Sequence, residues 1–389
     1  MIKTTIFLIL VLIGIVFLLG GIVLMLIKRF KRGNNITVKK IKSKFVISLI
    51  SIILAVGLLF ISQLFAKTPV IDDAEGTSIS ELIKIDVNGR EEWISIRGND
   101  INNPVILFLA GGPGGTQLGA VRRNLKELEN DFVIANWEQP GSGKSYGAMP
   151  IDEIGPKTYI SDGEAVTDYL LDRFDKEKIY IIGESWGSAL GIFLADKNPE
   201  KYHAFIGTGQ MVDFEETEVQ CYNLALELAE KRDDSEKVDE LKELGEPPYS
   251  GENMALDAAK YLQYLSDEMA RNPNIENGGY ETFSDLASSE YGILDQINFF
   301  RGVVTTFSQV YPQLYGVDLR EDYNDIEIPV RLFIGRHDIN APTYLAEEYY
   351  EVLDSPDKEL VYFEKSGHSP WINEYELFCE KTKGFFVFH

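Results

Sequence analysis

The stretch from Lys178 to Asp196 admits few folds. An apolar run, Ile179-Tyr180-Ile181-Ile182, gives way to Gly183-Glu184-Ser185-Trp186-Gly187-Ser188 and then to the helix-forming Ala189-Leu190-Gly191-Ile192-Phe193-Leu194-Ala195. This reads as a strand, a sharp turn and a helix. So tight a turn needs residues without bulk at Gly183 and Gly187, because strand and helix pass close together and the central residue is held in a strained conformation. The strain lifts the Ser185 hydroxyl clear of the sheet edge. It also aims the Trp186 backbone N–H and the helix N-terminus at one point, where a developing negative charge would be stabilised. Taken alone, the pattern also fits an ordinary strand-to-helix connection with a capping serine, so its meaning depends on the rest of the chain.

Two segments at the start are of a different kind. Residues 4–27 and 45–65 carry no charge, and each is long enough to span the ~30 Å hydrocarbon core as a helix at about 1.5 Å per residue. The first is longer than the apolar run of a signal peptide and no small-x-small cleavage site follows it, so both are read as retained spans. Residues 1–66 are thus expected to form a two-helix transmembrane anchor. Nine of the 37 Lys and Arg residues fall there and none of the 61 Asp and Glu does. Eight of the nine, from Lys28 to Lys44, lie between the spans, and the positive-inside bias puts that connection in the cytoplasm. Everything after Ala66 then faces outward, as in a multi-pass protein of the cell membrane with an extracytoplasmic body.

That body carries 28 basic against 61 acidic side chains, which argues against a nucleic-acid partner, since phosphates would be repelled. Across the 389 residues, 45% hydrophobic and 12% aromatic content suffices for a sizeable core. Cys221 and Cys379 form no metal-like cluster with the four histidines, so neither a metal site nor an organic cofactor is expected. Two buried thiols are the simpler reading, with a disulfide left open for an exported domain.

After a polar linker, residues 67–79, strand signals begin. Leu82–Val87 and Glu92–Ile96 flank Asn88-Gly89, a hairpin turn. Pro104–Leu109 is an unbroken apolar run, as in a strand covered on both faces, and ends in Ala110-Gly111-Gly112-Pro113-Gly114-Gly115. So many glycines expose backbone N–H groups to a ligand. A phosphate loop is disfavoured, because neither Gly-Lys-Ser/Thr nor the dinucleotide-binding spacing is present. Beside Ser185 this turn reads as half of an oxyanion hole, with Gly112 rather than Gly111 as donor. A helix over Leu118–Glu129, a strand over Phe132–Trp137 and a polar, flexible loop from Glu138 to Ser145, suited to a site rim, come next. A helix over Ile160–Phe174, the Ser185 turn and a strand over Ala204–Thr208 complete a strand-helix rhythm that implies a mostly parallel sheet.

The rhythm stops at Gln210. Residues 211–325 show only charged helical patterns, over Glu215–Arg232, Ser235–Leu244, Met254–Arg271 and Ile293–Val310, and read as a helical cap inserted into a core of residues 80–210 and 326–389. Strands resume at Val330–Ile334 and Glu359–Phe363, followed respectively by Gly335-Arg336-His337-Asp338 and Ser366-Gly367-His368, and a last helix spans Ile372–Phe385. Acid and imidazole therefore each follow a strand end, where open α/β sheets bind ligands.

Ser185, Asp338 and His368 stand in the chain order of the α/β-hydrolase fold. His368 would take the proton of the Ser185 hydroxyl, Asp338 would hold the imidazole's tautomer, and the Gly112 and Trp186 N–H groups would stabilise the oxyanion. Asp325 is a distant rival for the acid; His337, His203 and His389 lack the context of a base. The chain resembles the prolyl aminopeptidase (proline iminopeptidase) group of serine peptidases over residues 80–389. The resemblance rests on Gly111–Gly115, Gln139–Ser145, Gly183–Ser188, Gly335–Asp338 and Gly367-His368. Ala110, Glu138-Gln139-Pro140 and Glu184 depart from the group's usual His, Asp-Gln-Arg and Gly. The resemblance implies that cap carboxylates bind a substrate's α-amino group, for which Glu215, Glu216 and Glu218 are candidates, and that Gly111 belongs to the substrate-binding loop. It implies an aminopeptidase acting on short peptides, which the two expected spans would anchor to the membrane. An esterase held near lipid or small-ester substrates is the alternative enzyme, and a catalytically silent sensor the alternative class.

Overall fold

The computed structural model describes residues 2–30, 37–73 and 76–386; Lys31 and Arg32 of the basic connection, and His389, lie outside them. The chain begins with α1 (Ile2–Phe30) and α2 (Val38–Leu64), both long and apolar enough to cross a membrane. They pack antiparallel through small residues. The Ser48 hydroxyl donates to the Gly14 carbonyl at 2.7 Å, and a Cβ on Gly14 would come within 2.9 Å of Ile52, the close backbone approach that small residues permit between apolar helices.

The body opens with the hairpin β1 (Ile79–Val87) and β2 (Arg90–Gly98), then alternates β3 (Val105–Leu109), α3 (Leu118–Asn124), β4 (Val133–Glu138), α4 (Pro156–Phe174), β5 (Ile179–Glu184), α5 (Trp186–Lys197) and β6 (Tyr202–Thr208). Six helices follow without a strand: α6 (Phe214–Lys231), α7 (Ser235–Leu244), α8 (Met254–Arg271), α9 (Thr282–Leu286), α10 (Ile293–Val310) and α11 (Leu319–Asp322). The sheet resumes with β7 (Val330–Gly335), α12 (Thr343–Val352) and β8 (Lys358–Phe363), and the chain closes with α13 (Pro370–Asn373) and α14 (Tyr375–Phe386).

The strands form one eight-stranded sheet in the order β1-β2-β4-β3-β5-β6-β7-β8. Its first two pairings are antiparallel and the rest parallel. The apolar runs behave as the two-residue period of a strand requires. Val105, Leu107 and Leu109 of β3 join the core beneath α4 and α5, while Ile106 and Phe108 join a second core with Trp371 and Phe378 on the opposite face. With both faces covered, all five β3 residues are inaccessible to solvent, which is why the sequence shows no polar alternation there.

Two expectations are corrected. The helix expected over Leu118–Glu129 is broken: α3 stops at Asn124 and residues 126–130 tighten into a 3₁₀ turn. At three residues per turn, Leu125 and Leu128 fall on one side, and both are fully buried. The loop from Glu138 to Ser145 is an internal brace rather than a flexible rim. Glu138 accepts from the Lys144 N–H at 2.8 Å, Ser145 Oγ accepts from the Trp93 N–H at 2.8 Å, and the Lys144 ammonium pairs with Asp295 at 2.7 Å. Burial raises the Glu138 carboxyl to about 8, against the opposing pull of Thr116 and Lys144.

Candidate active site

The Ser185 turn is built as its glycines demand. A Cβ on Gly183 would lie 2.2 Å from the Gly187 carbonyl oxygen, and one on Gly187 2.1 Å from that of Leu109; neither backbone can retreat. Ser185 itself has φ 54° and ψ −124°, a strained conformation for a residue with a side chain. Its N–H donates to the Thr208 carbonyl at 3.0 Å, fixing the turn to the end of β6. Trp186 opens α5, so its N–H has no acceptor within the helix. The indole is anchored from the side, donating to Gln139 Oε1 at 2.9 Å, and Gln139 in turn donates to the Ala110 carbonyl at 3.1 Å. The brace loop thus links the serine turn to the glycine-rich turn.

Asp338 follows β7 and His368 follows β8. The His368 Nδ1 lies 2.9 Å from Asp338 Oδ2, and Asp338 Oδ1 accepts from the Asn340 and Ala341 N–H groups at 2.8 and 3.0 Å. Burial alone would depress the imidazole. The facing Asp338 carboxylate, with Glu184 behind it, overcomes this and raises His368 to about 9. Asp325 is remote, bridged to Asp354; His203 stacks on Tyr180 with centroids 4.8 Å apart.

Ser185 and His368 open into a cavity of about 110 Å³, lined also by Gly112, Trp186 and Asn340 from the core, by Met211 where the cap segment begins, and by Glu218, Leu262, Phe307 and Tyr311 from the cap helices. That is several times the space one water needs. The three cap carboxylates separate here. Glu218 lies in the buried stripe of α6 with Phe214, Thr217, Cys221 and Tyr222, accepts from the Tyr261 hydroxyl and faces the cavity. Burial lifts its carboxyl to about 7 despite bonds from Tyr261 and Tyr311. Glu215 points to solvent. Glu216 is held by Arg320 at 2.7 Å and the Tyr344 hydroxyl at 2.8 Å. Neither lines the cavity: the helical period turns Glu216 away from the stripe that carries Glu218, and Glu215, three residues before Glu218, falls at the stripe's solvent-exposed edge. Gly111 also stands apart from the cavity wall: its N–H donates to Gln117 Oε1 at 3.3 Å, and it packs against Glu184 and Ser185.

Sequence reasoning missed Glu184 as a support. This buried carboxylate accepts from the Ser369 hydroxyl at 2.9 Å and from Gln117 Nε2 at 3.0 Å, so it ties the histidine loop to the glycine-rich turn. Its signal was a charged residue at the end of an otherwise apolar strand. Tyr261, Tyr311, Leu262 and Phe307 had no local signal. Among the described residues, no group of His, Cys, Asp and Glu is arranged to hold a metal ion, and both cysteines are free and buried.

With an eight-stranded sheet, an inserted cap, and Ser185, Asp338 and His368 after the ends of β5, β7 and β8, residues 104–375 match the family with the alpha/beta hydrolase fold. The chain belongs to that α/β-hydrolase family, and within it resembles the prolyl aminopeptidases. It is 30% identical over 315 residues to "Probable aminopeptidase YbaC" of Bacillus subtilis (strain 168), covering 78% of this chain and 96% of that protein. It is 26% identical to a proline iminopeptidase of Heyndrickxia coagulans, covering 75% of this chain and 93% of the relative. Among solved structures, the proline iminopeptidase of Mycobacterium smegmatis superposes with a TM-score of 0.57 at 17% identity, over 78% of this chain and 97% of that one, a likeness of fold.

Proposed function

We propose that this chain is a membrane-anchored serine hydrolase, an aminopeptidase that removes N-terminal residues, proline among them, from short peptides. The observation that carries the reading is the shared cavity: Ser185 and His368 on one wall and the buried Glu218 on the other. Ser185 Oγ attacks the carbonyl of the N-terminal residue. His368 accepts the hydroxyl proton and delivers it to the departing amine, leaving an acyl-enzyme that water then cleaves by the same steps. Asp338, 2.9 Å from Nδ1, keeps that nitrogen protonated and stabilises the imidazolium. The Gly112 and Trp186 N–H groups receive the oxyanion, each worth about 2.7–4 kcal/mol of barrier. Glu218, as a carboxylate, pairs with the substrate's α-ammonium, so an N-terminal residue with a free amine is favoured over an internal one.

We further propose that α1 and α2 span the membrane with their basic connection in the cytoplasm and the catalytic body outside, on the length and apolarity of both helices and the basic side chains from Lys28 to Lys44. The test is hydrolysis by the full chain of an aminoacyl arylamide panel led by proline, beside a short-chain aryl ester, with Ser185→Ala as control. Turnover of prolyl arylamide that the variant loses is the expected result. Ser185-dependent cleavage of the ester alone would replace the peptidase by an esterase, and activity that survives in Ser185→Ala would remove the serine mechanism.

A further inference from the structure

Both outward ends of the N-terminal helices land on one short segment of the cap. At the start of α1, the Lys3 ammonium donates to the Tyr291 carbonyl and Thr4 pairs with Gln296. At the end of α2, Ser62 Oγ accepts from the Ile293 N–H at 3.0 Å and Gln63 Nε2 donates to Asp295 at 2.9 Å. The Lys67 N–H then bonds the Ser289 carbonyl at 2.9 Å. The hairpin therefore meets the body at the N-terminus of α10.

From that junction α10 presents an outward stripe of Leu294, Ile297, Phe300, Val303 and Val304, with Phe283 of α9 beside Phe300 at 6.3 Å between ring centroids. Leu294, Phe300, Val303 and Phe283 are 41%, 47%, 38% and 61% exposed. Single exposed apolar residues are ordinary; a contiguous set on one helix face marks an interaction surface. Its charge singles it out on so acidic a body. The only acidic residue of α10 is Asp295, which is buried in its pair with Lys144, and the one exposed charge on the stripe is Arg301, lying over the Tyr146 ring. By contrast, α7 exposes Glu236, Asp239 and Glu243. An apolar face edged by a cation suits a phospholipid surface.

We propose that the outer face of α10, with Phe283, is seated in the interfacial layer of the bilayer that α1 and α2 enter. The inference rests on the membrane-spanning reading of those helices. Its consequence is local to the site: the inner side of the same helix places Phe307 in the cavity wall and packs Gly302 against the backbone of Gly114, so the bilayer supports the helix against which the glycine-rich turn is built.

The test uses the full chain in phospholipid nanodiscs containing anionic lipid, with a nitroxide attached at Ile53→Cys in α2, at Leu294→Cys and Phe300→Cys in α10, or at Val352→Cys on the exposed face of α12; the native Cys221 and Cys379 are buried. Power-saturation accessibility to oxygen and to a water-soluble nickel chelate is read at each site. Expected is an oxygen-dominated label at 53, 294 and 300 and a nickel-dominated one at 352. Nickel-dominated labels at 294 and 300 with an oxygen-dominated label at 53 would overturn the seating and leave the spans standing. Labels at 294 and 300 shielded from both reagents would also overturn it, since protein rather than lipid then covers the face. A nickel-dominated label at 53 would overturn the spans, and the seating with them.

Discussion

The two walls of the cavity are made in opposite ways. On the core side, Ser185, Gly112 and His368 each follow a parallel strand by a few residues, as does Asp338 behind the imidazole, and backbone groups hold the serine and the acid: Ser185 by its φ of 54° and the Thr208 carbonyl, Asp338 by two N–H groups. On the cap side, Glu218, Leu262, Phe307 and Tyr311 come from α6, α8, α10 and the turn after α10, and side chains hold one another. The difference teaches that the proposed reaction machinery is a local property of strand ends, whereas the proposed selecting surface is assembled by helix packing across almost a hundred residues of chain.

Substitutions on the core side should be the most damaging. Ser185→Ala is expected to lower kcat by roughly 10⁴-fold or more on every substrate, as loss of a triad nucleophile does, with far-UV circular dichroism unchanged; Asp338→Asn should approach it, at about 10⁴-fold. Residual activity of Ser185→Ala within an order of magnitude of the native chain would erase the distinction between the walls.

Glu218→Gln is the corresponding test of the cap. A charge-assisted hydrogen bond is worth about 1.5–3 kcal/mol, so kcat/KM for aminoacyl arylamides should fall about 10- to 100-fold while aryl-ester hydrolysis stays near native. Equal losses on both substrates would make Glu218 structural.

The pH profile separates the same two contributions. His368 is held near 9 against burial by Asp338 and Glu184, and only the neutral imidazole accepts a proton, so ester hydrolysis should rise with pH through about 9. Glu218 is raised to about 7 by burial and is an anion only above that. The ratio of aminoacyl to ester activity should therefore fall as the pH drops through about 7, and fall again above about 8 as the substrate's α-amino group deprotonates. A pH-independent ratio would remove Glu218 from recognition.

Glu184→Gln should give the smallest effect. Removing the charge behind His368 lowers the imidazole's proton affinity, moving the acid limb down by a fraction of a pH unit on both substrates, while the amide keeps partners for Gln117 and Ser369. An unshifted limb would restrict Glu184 to packing.

Much of the core wall was legible because its causes are near in sequence. Glycines at 183 and 187 are required by backbone contacts with residues 187 and 109, and a turn this tight leaves few alternatives. The brace loop was misread for the converse reason. Glu138, Lys144 and Ser145 have the composition of a surface connection, but their partners are Thr116, Asp295 and Trp93, distant in the chain. Likewise Glu215, Glu216 and Glu218 are equivalent as a cluster of acids; only the docking of α6 turns one inward and leaves another to Arg320 and Tyr344.

By itself the sequence determined the two long apolar helices, the alternation of strands and helices, and the strand ends that bear Ser185, Asp338 and His368, because hydrophobic period and turn stereochemistry act over a few residues. The tertiary structure alone decided which carboxylate faces the serine, that Glu184 joins the histidine and glycine-rich loops, and that α10 continues from the ends of α1 and α2. Those outcomes depend on burial and on partners far apart in the chain, and neither is encoded in any local window.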